Sequence, residues 1–458
     1  MIDSLIHRAR IAQATIDQAS QERADELVRA AAWAILEPNR NRELAEMAVR
    51  DTGIGNVDDK ILKNHRKTLG LLRDLNGRKT AGVLRVDVDL GITEIGRPVG
   101  VVGAITPSTN PAATPANKAI NALKARNAII LAPSPKGLGC CAKLVSYIQH
   151  ELQKIGAHPD LVQCLPAPIT KQSTQALIES VDLVVATGSQ SNIRNVYRCG
   201  TPAFGVGAGN VASIVDETAD LKAAAQKIIV SKTFDNATSC SSENSVVVLE
   251  AVYKDFIHEM EKQGALLLSN QEKAKLQSVM WVDGHLSAAI TGKSAGVIAS
   301  LAGLEVATQT RILMVEETGA GATFPFSGEK LSPVLTVYSA QSLEAAYDIV
   351  SSIYSYMGAG HSVSLHTKDP QRAIALGLTL PVSRVIVNQP HCIATGGSFE
   401  NGLPFSLSMG CGTWGKNNFS SNMNVEHYMN VTRISTPIQK PIPSVDELLS
   451  AHFEKYGR

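Results

Sequence analysis

Residues 98–133 read PVGVVGAITPSTNPAATPANKAINALKARNAIILAP. Two apolar runs of strand length, VVGAI from residue 101 and NAIILAP from residue 127, flank a stretch from Thr114 to Lys124 with helical spacing. Short apolar runs joined by a helix of 10–15 residues make βαβ units with parallel strands, and such crossovers are right-handed. The pattern continues downstream with a helix from Leu138 to Leu152, the strand LVQCL, a helix from Ser173 to Ser180 and the strand VDLVVAT ending at Thr187. A second α/β region follows a helix that ends near Phe234. Its expected strands are NSVVVLE, RILMVEE, PVLTVYS, HSVSLHT and SRVIVNQ, with helices near 343–352 and 370–376.

Upstream, residues 3–78 read as helical. Ser20 caps a helix whose apolar stripe is Ala24, Leu27, Val28, Ala31 and Ile35, and Pro38 marks its end. A second helix is expected from about Arg42, stopped near Gly53 and Gly55. VLRVDVDLGITEIGR, residues 83–97, reads as a two-stranded ribbon, and a lone ribbon needs a partner surface. Pro437, Pro441 and Pro443 predict an extended arm, followed by a short final helix.

With 458 residues the chain is too long for one hydrophobic core, so two or three domains are expected. The 43 basic and 42 acidic side chains leave a net charge of +1, and no basic run is present to bind nucleic acid. The N-terminus lacks the apolar core of a signal peptide, and no segment approaches the ~18 apolar residues of a membrane span, so the cytoplasm is the expected location. The seven cysteines include no CxxC pair, which argues against a zinc site, and neither a disulfide framework nor any metal is expected.

Three local features suggest chemistry. Thr187-Gly188-Ser189 ends a strand and opens a helix, where backbone N–H groups can meet a phosphate; the full GxGxxG pattern is absent, and on spacing alone a plain strand-to-helix turn is the commoner reading. Ser134 and Lys136 lie on a similar turn, as a ribose or phosphate contact or as a solvated loop. Cys240, in KTFDNATSCSSENS, has polar and small neighbours, unlike a core cysteine such as Cys164 in LVQCL, and is a candidate nucleophile.

TPSTNP, ALKARNAIILAP, VVATGS, FGVGAGN, FDNATSCSSENS, EKLSPVL, GAGHSVSLH, PVSRVIVNQP and MGCGTWGKN occur in that order along nearly the whole chain. Together they resemble the aldehyde dehydrogenase superfamily, and within it the CoA-acylating branch. The resemblance implies two Rossmann-type α/β domains plus a small β oligomerisation module: a NAD(P)-binding domain over 1–228 interrupted by the ribbon, a catalytic domain over 229–414, a module of 83–98 with 422–440, and a tail over 441–458. It implies that Cys240 is the nucleophile and Asn110 the oxyanion donor. Thr106, Pro107, Ser134, Lys136, Thr187, Gly188, Ser189, Gly207, Glu329 and His361 are then expected around the dinucleotide, Glu329 on the nicotinamide ribose and His361 as the histidine of the GAGH motif.

Two departures from the family pattern matter. Gly205 stands where hydrolytic members carry a general-base glutamate, so the expected acyl acceptor is coenzyme A rather than water. Ala132 replaces the lysine that commonly grips the adenosine ribose, which leaves NAD or NADP open; the branch tips the expectation towards NADP, with Lys136 on the 2′-phosphate. The implied reaction is oxidation of a short anionic aldehyde to its acyl-CoA, sulfoacetaldehyde ahead of succinate semialdehyde, with acetaldehyde the uncharged alternative. His391, Arg194, Ser239 and Thr395 are candidate pocket donors. A homodimer or homotetramer is expected. The competing readings are a hydrolytic or phosphorylating aldehyde dehydrogenase and, further off, a non-catalytic α/β protein.

Overall fold

Four helices precede the first strand: α1 (Ile2–Ala14), α2 (Gln21–Leu36), α3 (Pro38–Thr52) and α4 (Val57–Leu75). Ser20 caps α2 by accepting from the Arg23 N–H at 3.3 Å. Pro38 opens α3 instead of only ending α2, so the second helix starts four residues before the expected Arg42. Proline is favoured in a first turn, where its missing N–H costs nothing, and the Glu37 carboxylate caps the two N–H groups that follow. Gly53, at φ +69°, closes α3, and Asn56 caps α4.

The computed structural model describes residues 1–458 and holds two parallel sheets. In the five-stranded sheet, β3 (Val101–Thr106) lies between β4 (Ala128–Pro133) and β6 (Leu183–Thr187), with β5 (Val162–Cys164) and β7 (Ala203–Val206) at the edges. Helices α5 (Ala113–Lys124), α6 (Leu138–Lys154), α7 (Lys171–Ser180) and α8 (Gln190–Arg198) connect its strands. β3 and β4 are buried along their whole length, as strands covered on both faces must be.

The chain crosses to the second sheet through residues 207–210. That sheet has seven strands in the order β10 (Ala265–Leu267), β13 (Ile312–Glu316), β14 (Val334–Ala340), β9 (Glu243–Leu249), β8 (Val211–Val215), β15 (Val363–His366), β16 (Val385–Val387). A short hairpin, β11 (Trp281–Val282) with β12 (His285–Leu286), lies outside it. The sequence reading missed β7 and β8, which flank a glycine-rich loop. In consequence its domain boundary at 228 falls too late: β8 pairs with β9 and β15, and Ile228 and Ile229 of α9 (Leu221–Thr233) pack with Phe256 and Ile312. The segment carrying Phe405, Val425 and Tyr428 returns to the first core, among Leu27, Ile35 and Leu131.

The ribbon is β1 (Gly82–Asp87) with β2 (Ile92–Pro98). It gains its partner from β17 (Met429–Ser435), which pairs antiparallel with β2 from Met429↔Pro98 to Ser435↔Ile92. The tail is an extended arm and a helix, Val445–Tyr456, that buries no residue in this chain. No helix is long and apolar enough to cross a membrane.

Candidate active site

β3 leads into a crossover on one side of the first sheet and β6 lies on its other side, so the carboxyl ends of these two strands frame a topological switch point. Ligands of doubly wound sheets bind in that crevice. Thr106 ends β3, Ser134 follows β4, Thr187 ends β6 and Gly207 follows β7, so the residues expected around the dinucleotide share one sheet edge. Two observations fit such a ligand. The buried Thr106 Oγ1 has no protein partner. A Cβ on Gly188 would meet nothing closer than the Asn192 side chain at 3.8 Å, which leaves the first turn of α8 open, with Ser189 capping it. Gly207 has no such freedom, since a Cβ there would lie 2.0 Å from the Gln190 amide oxygen. Lys136 is exposed beside this edge.

Cys240 follows a turn in which Asp235, Asn236 and Ala237 all adopt positive φ (50°, 52° and 59°). Three consecutive non-glycine residues in that region are costly and persist only where the surroundings hold them. Here α4 does so. Lys60 and Lys63, one helical turn apart, both contact the Asp235 carboxylate, with Lys60 at 3.1 Å. The Asp59 carboxylate accepts the Asp235 N–H at 2.7 Å, and Thr238 Oγ1 donates to Asp235 at 2.7 Å. Burial raises the Asp235 carboxyl pKa, but the two ammonium groups outweigh it and hold the pKa below its usual value. Burial pushes Lys60 down to about 8.

Lys63 also fixes Asn110. Its ammonium donates to Asn110 Oδ1 at 2.9 Å and to Thr238 Oγ1 at 3.3 Å. An ammonium has three donors and no acceptor, so the amide must turn its oxygen towards Lys63 and present its NH2 the other way. Asn110 and Ser239, the residue before Cys240, line the same cavity.

The sequence reading grouped His361 with the dinucleotide. The fold places it at the thiol instead, with His361 Nε2 3.4 Å from Cys240 Sγ. Its loop is clamped by the buried Arg384, which donates to the His361 carbonyl at 3.1 Å and the Gly410 carbonyl at 3.0 Å. Gly209 passes directly behind the nucleophile, where a Cβ would lie 2.3 Å from the Cys240 carbonyl oxygen. The Gly209 N–H donates to Glu329 at 3.3 Å, which ties the expected ribose carboxylate to the crossover loop. Burial raises Glu329 to about 8. Burial, with Glu329 adding to it, pushes Cys240 up to about 12, and burial lowers His361 to about 3. The resting pair is therefore a thiol facing a neutral imidazole, and the proton must leave sulfur as the thiol reacts.

The cavity at Ser239 is lined by Lys63, Arg66 and Lys67 of α4, by Asn110 and Phe234, and by Cys392, Ile393, Gly397, Phe405 and Leu407 of the late loop. No carboxylate lines it. Lys63 is committed to Asn110, Asp235 and Thr238. Lys67 gives two of its three donors to the Gly396 and Gly397 carbonyls, at 2.7 and 3.3 Å, and burial lowers it to about 7. Arg66 has no acceptor on the protein. Of the four donors expected from sequence, only Ser239 is here. Arg194 is exposed on α8, and the Thr395 hydroxyl is spent on the His391 carbonyl. His391 is buried behind His361. The cations on α4 were missed because the sequence reading took residues 3–78 only as helical and gave that helix no part in a site.

Gly205 lies in β7. A Cβ there would sit 2.9 Å from Ile193 and 3.4 Å from Tyr197, both on α8. The position that holds the base in hydrolytic relatives is thus filled by helix packing.

The sequence profile described as the aldehyde dehydrogenase family matches residues 1–277. The chain is 61% identical to a sulfoacetaldehyde dehydrogenase (acylating) of Cupriavidus necator, over 100% of this chain and 93% of that one. It is 37% identical to a succinate-semialdehyde dehydrogenase (acetylating) of Clostridium kluyveri, over 98% of each chain. A crystal structure of an acetylating aldehyde dehydrogenase from Geobacillus thermoglucosidasius superposes with a TM-score of 0.93 at 36% identity, covering 97% of this chain and 98% of that one.

Proposed function

The chain belongs to the aldehyde dehydrogenase family, and from that premise we propose that it oxidises a short anionic aldehyde, sulfoacetaldehyde first, to its acyl-CoA with NADP or NAD. The observation that carries this reading is one cavity. It is lined by Ser239, next in sequence to a thiol that faces an imidazole, by an amide oriented by Lys63, and by two basic side chains, Arg66 and Lys67, with no carboxylate among its lining residues. The Arg66 guanidinium, with no acceptor on the protein, and the one remaining Lys67 donor match a sulfonate or carboxylate.

Cys240 attacks the aldehyde carbon as His361 Nε2 takes the thiol proton. The electron pair of the carbonyl moves onto oxygen, where the Asn110 NH2 and the Cys240 N–H stabilise it. Thr106, Pro107, Ser134, Lys136, Thr187, Gly188, Ser189, Gly207 and Glu329 would hold a nicotinamide dinucleotide, which would supply the hydride acceptor for this oxidation. CoA then attacks the thioester carbon as its thiolate, its own proton having gone to solvent, and Cys240 leaves as thiolate and takes its proton back from His361. A thiol ionises far more readily than water, so this acceptor works without a carboxylate at position 205.

The ribbon and tail support assembly into a homo-oligomer. Val83, Val86 and Val88 are exposed on the ribbon, as are Ile442, Leu448 and Tyr456 on the arm and final helix. Exposed apolar side chains in such density mark a surface that another chain covers.

The test of the substrate is kcat/KM with CoA for sulfoacetaldehyde, succinate semialdehyde, acetaldehyde and butyraldehyde. One specific charge contact is worth about tenfold, or ~1.4 kcal/mol, in that ratio. The anionic aldehydes should lead, and Arg66→Ala should erase most of the lead while sparing acetaldehyde. A wild-type preference for either uncharged aldehyde would sink the anionic assignment.

A further inference from the structure

Behind the nucleophile runs a polar file that the steps above use only at its first member. Cys240 Sγ lies 3.4 Å from His361 Nε2, His361 Nδ1 lies 2.7 Å from Ser362 Oγ, and Ser362 Oγ lies 2.9 Å from His391 Nε2. His361 is 2% exposed, and Ser362 and His391 are 0% exposed. Neither imidazole is hydrogen-bonded to a carboxylate, so neither is oriented as in an acid–histidine pair. The file ends on His391 Nδ1, a buried atom with no protein partner. The carboxyl of Glu243, three residues after the nucleophile, accepts from the Ser231 hydroxyl, and its Oε1 is buried without a partner as well. An orphaned polar atom at the blind end of a hydrogen-bonded chain is expensive to keep, which points to a use.

We infer that Ser362 and His391 are positioning residues that carry the Cys240 proton away from His361, so that His391 stores it while the thioester forms. The acylating reading of Cys240 is the premise for this role.

The step balances as follows. The S–H bond breaks as the S–C bond forms, and the proton goes to His361 Nε2. The proton on His361 Nδ1 passes to Ser362 Oγ, whose own proton passes to His391 Nε2. His361 is left neutral with its proton on the other nitrogen, and His391 becomes an imidazolium. The new positive charge offsets the oxyanion formed on the substrate. The file moves the charge one residue further from the reacting carbon, along the hydrogen bonds from His361 through Ser362 to His391. A serine hydroxyl is suited to the middle position because it donates and accepts at one atom and can reverse both roles by rotation. The reverse transfers return a proton to Cys240 when it leaves as thiolate.

The role is tested on the resting enzyme, without aldehyde or CoA. The rate at which iodoacetamide alkylates Cys240 is followed by peptide mass spectrometry between roughly pH 6 and 9, for wild type, Ser362→Ala, Ser362→Thr and His391→Gln. Ser362→Ala and His391→Gln should alkylate at least about tenfold more slowly near neutral pH, with the rise in rate moved to higher pH. Ser362→Thr keeps the hydroxyl and should alkylate close to the wild-type rate. Wild-type alkylation profiles in both Ser362→Ala and His391→Gln, with only their Tm lowered, would make the file structural and overturn the proposal. Should the variants fail to fold, the wild-type enzyme still decides. The solvent isotope effect on alkylation in H2O–D2O mixtures should curve, as for several moving protons, and a straight line for a single proton would overturn it. Because alkylation needs neither substrate, a failed relay in an enzyme that still makes acyl-CoA leaves the proposed function intact.

Discussion

Lys63 donates to the Asn110 carbonyl oxygen, and that single contact decides which end of the amide the substrate meets. Asn110→Ala should lower kcat by about 10²–10³-fold with little change in KM, because the oxyanion charge it stabilises develops only in the transition state. An effect confined to KM would remove Asn110 from the oxyanion site. Lys67 adds a pH dependence. Burial lowers it to about 7, so it is cationic below that pH and neutral above it. The kcat/KM ratio of anionic to uncharged aldehyde, which reports the free enzyme, should therefore fall as pH rises through about 7. Lys67→Arg should flatten the dependence, and a ratio independent of pH in wild type would exclude Lys67 from the anion end. At this scale Cys240 and Asn110 could be picked out from the sequence because the motifs around them are contiguous. Lys63, Arg66, Lys67 and Asp235 could not. Their roles arise only when α4 meets the turn at 235–237, across some 170 residues of chain.

The turn before Cys240 and the helix behind it form one device. Three positive-φ residues set the direction in which the chain enters the nucleophile, and Lys60 and Lys63 hold them through Asp235. Removing one partner of a buried ion pair leaves uncompensated charge and costs about 3–5 kcal/mol. Asp235→Ala should therefore lower Tm and also slow turnover, since it frees Lys63 from the geometry that aims Asn110. A variant with wild-type Tm and turnover would show that α4 does not hold the turn. β7 makes a second case. A Cβ at position 205 would lie 2.9 Å from Ile193, so Gly205→Glu should destabilise α8 and weaken dinucleotide binding in titrations, without raising CoA-independent acid formation. Most elements were legible from apolar runs and caps. β7 and β8 were not, because periodicity fades over four- and five-residue strands that flank a run of glycines.

At the scale of the molecule, the two sheets meet through the 207–210 crossover, which brings the cofactor edge of one domain against the thiol of the other. That meeting follows from which strand joins which sheet, and a sequence with no visible boundary between 206 and 211 does not display it. The tail is the other long-range feature. Deleting residues 437–458 should lower the oligomeric mass in sedimentation experiments, whereas an unchanged mass would place the interface elsewhere. The central claim is that Cys240 passes its acyl group to CoA. The most direct measurement is a product analysis of the wild-type enzyme with sulfoacetaldehyde and NAD(P)+, run with and without CoA and compared with Cys240→Ser. With CoA present, acyl-CoA should form in step with reduced dinucleotide; without CoA, acid formation should be slow; and Cys240→Ser should be inactive while still binding dinucleotide. Acid released as fast without CoA as acyl-CoA is formed with it, or near-normal turnover in Cys240→Ser, would contradict the account.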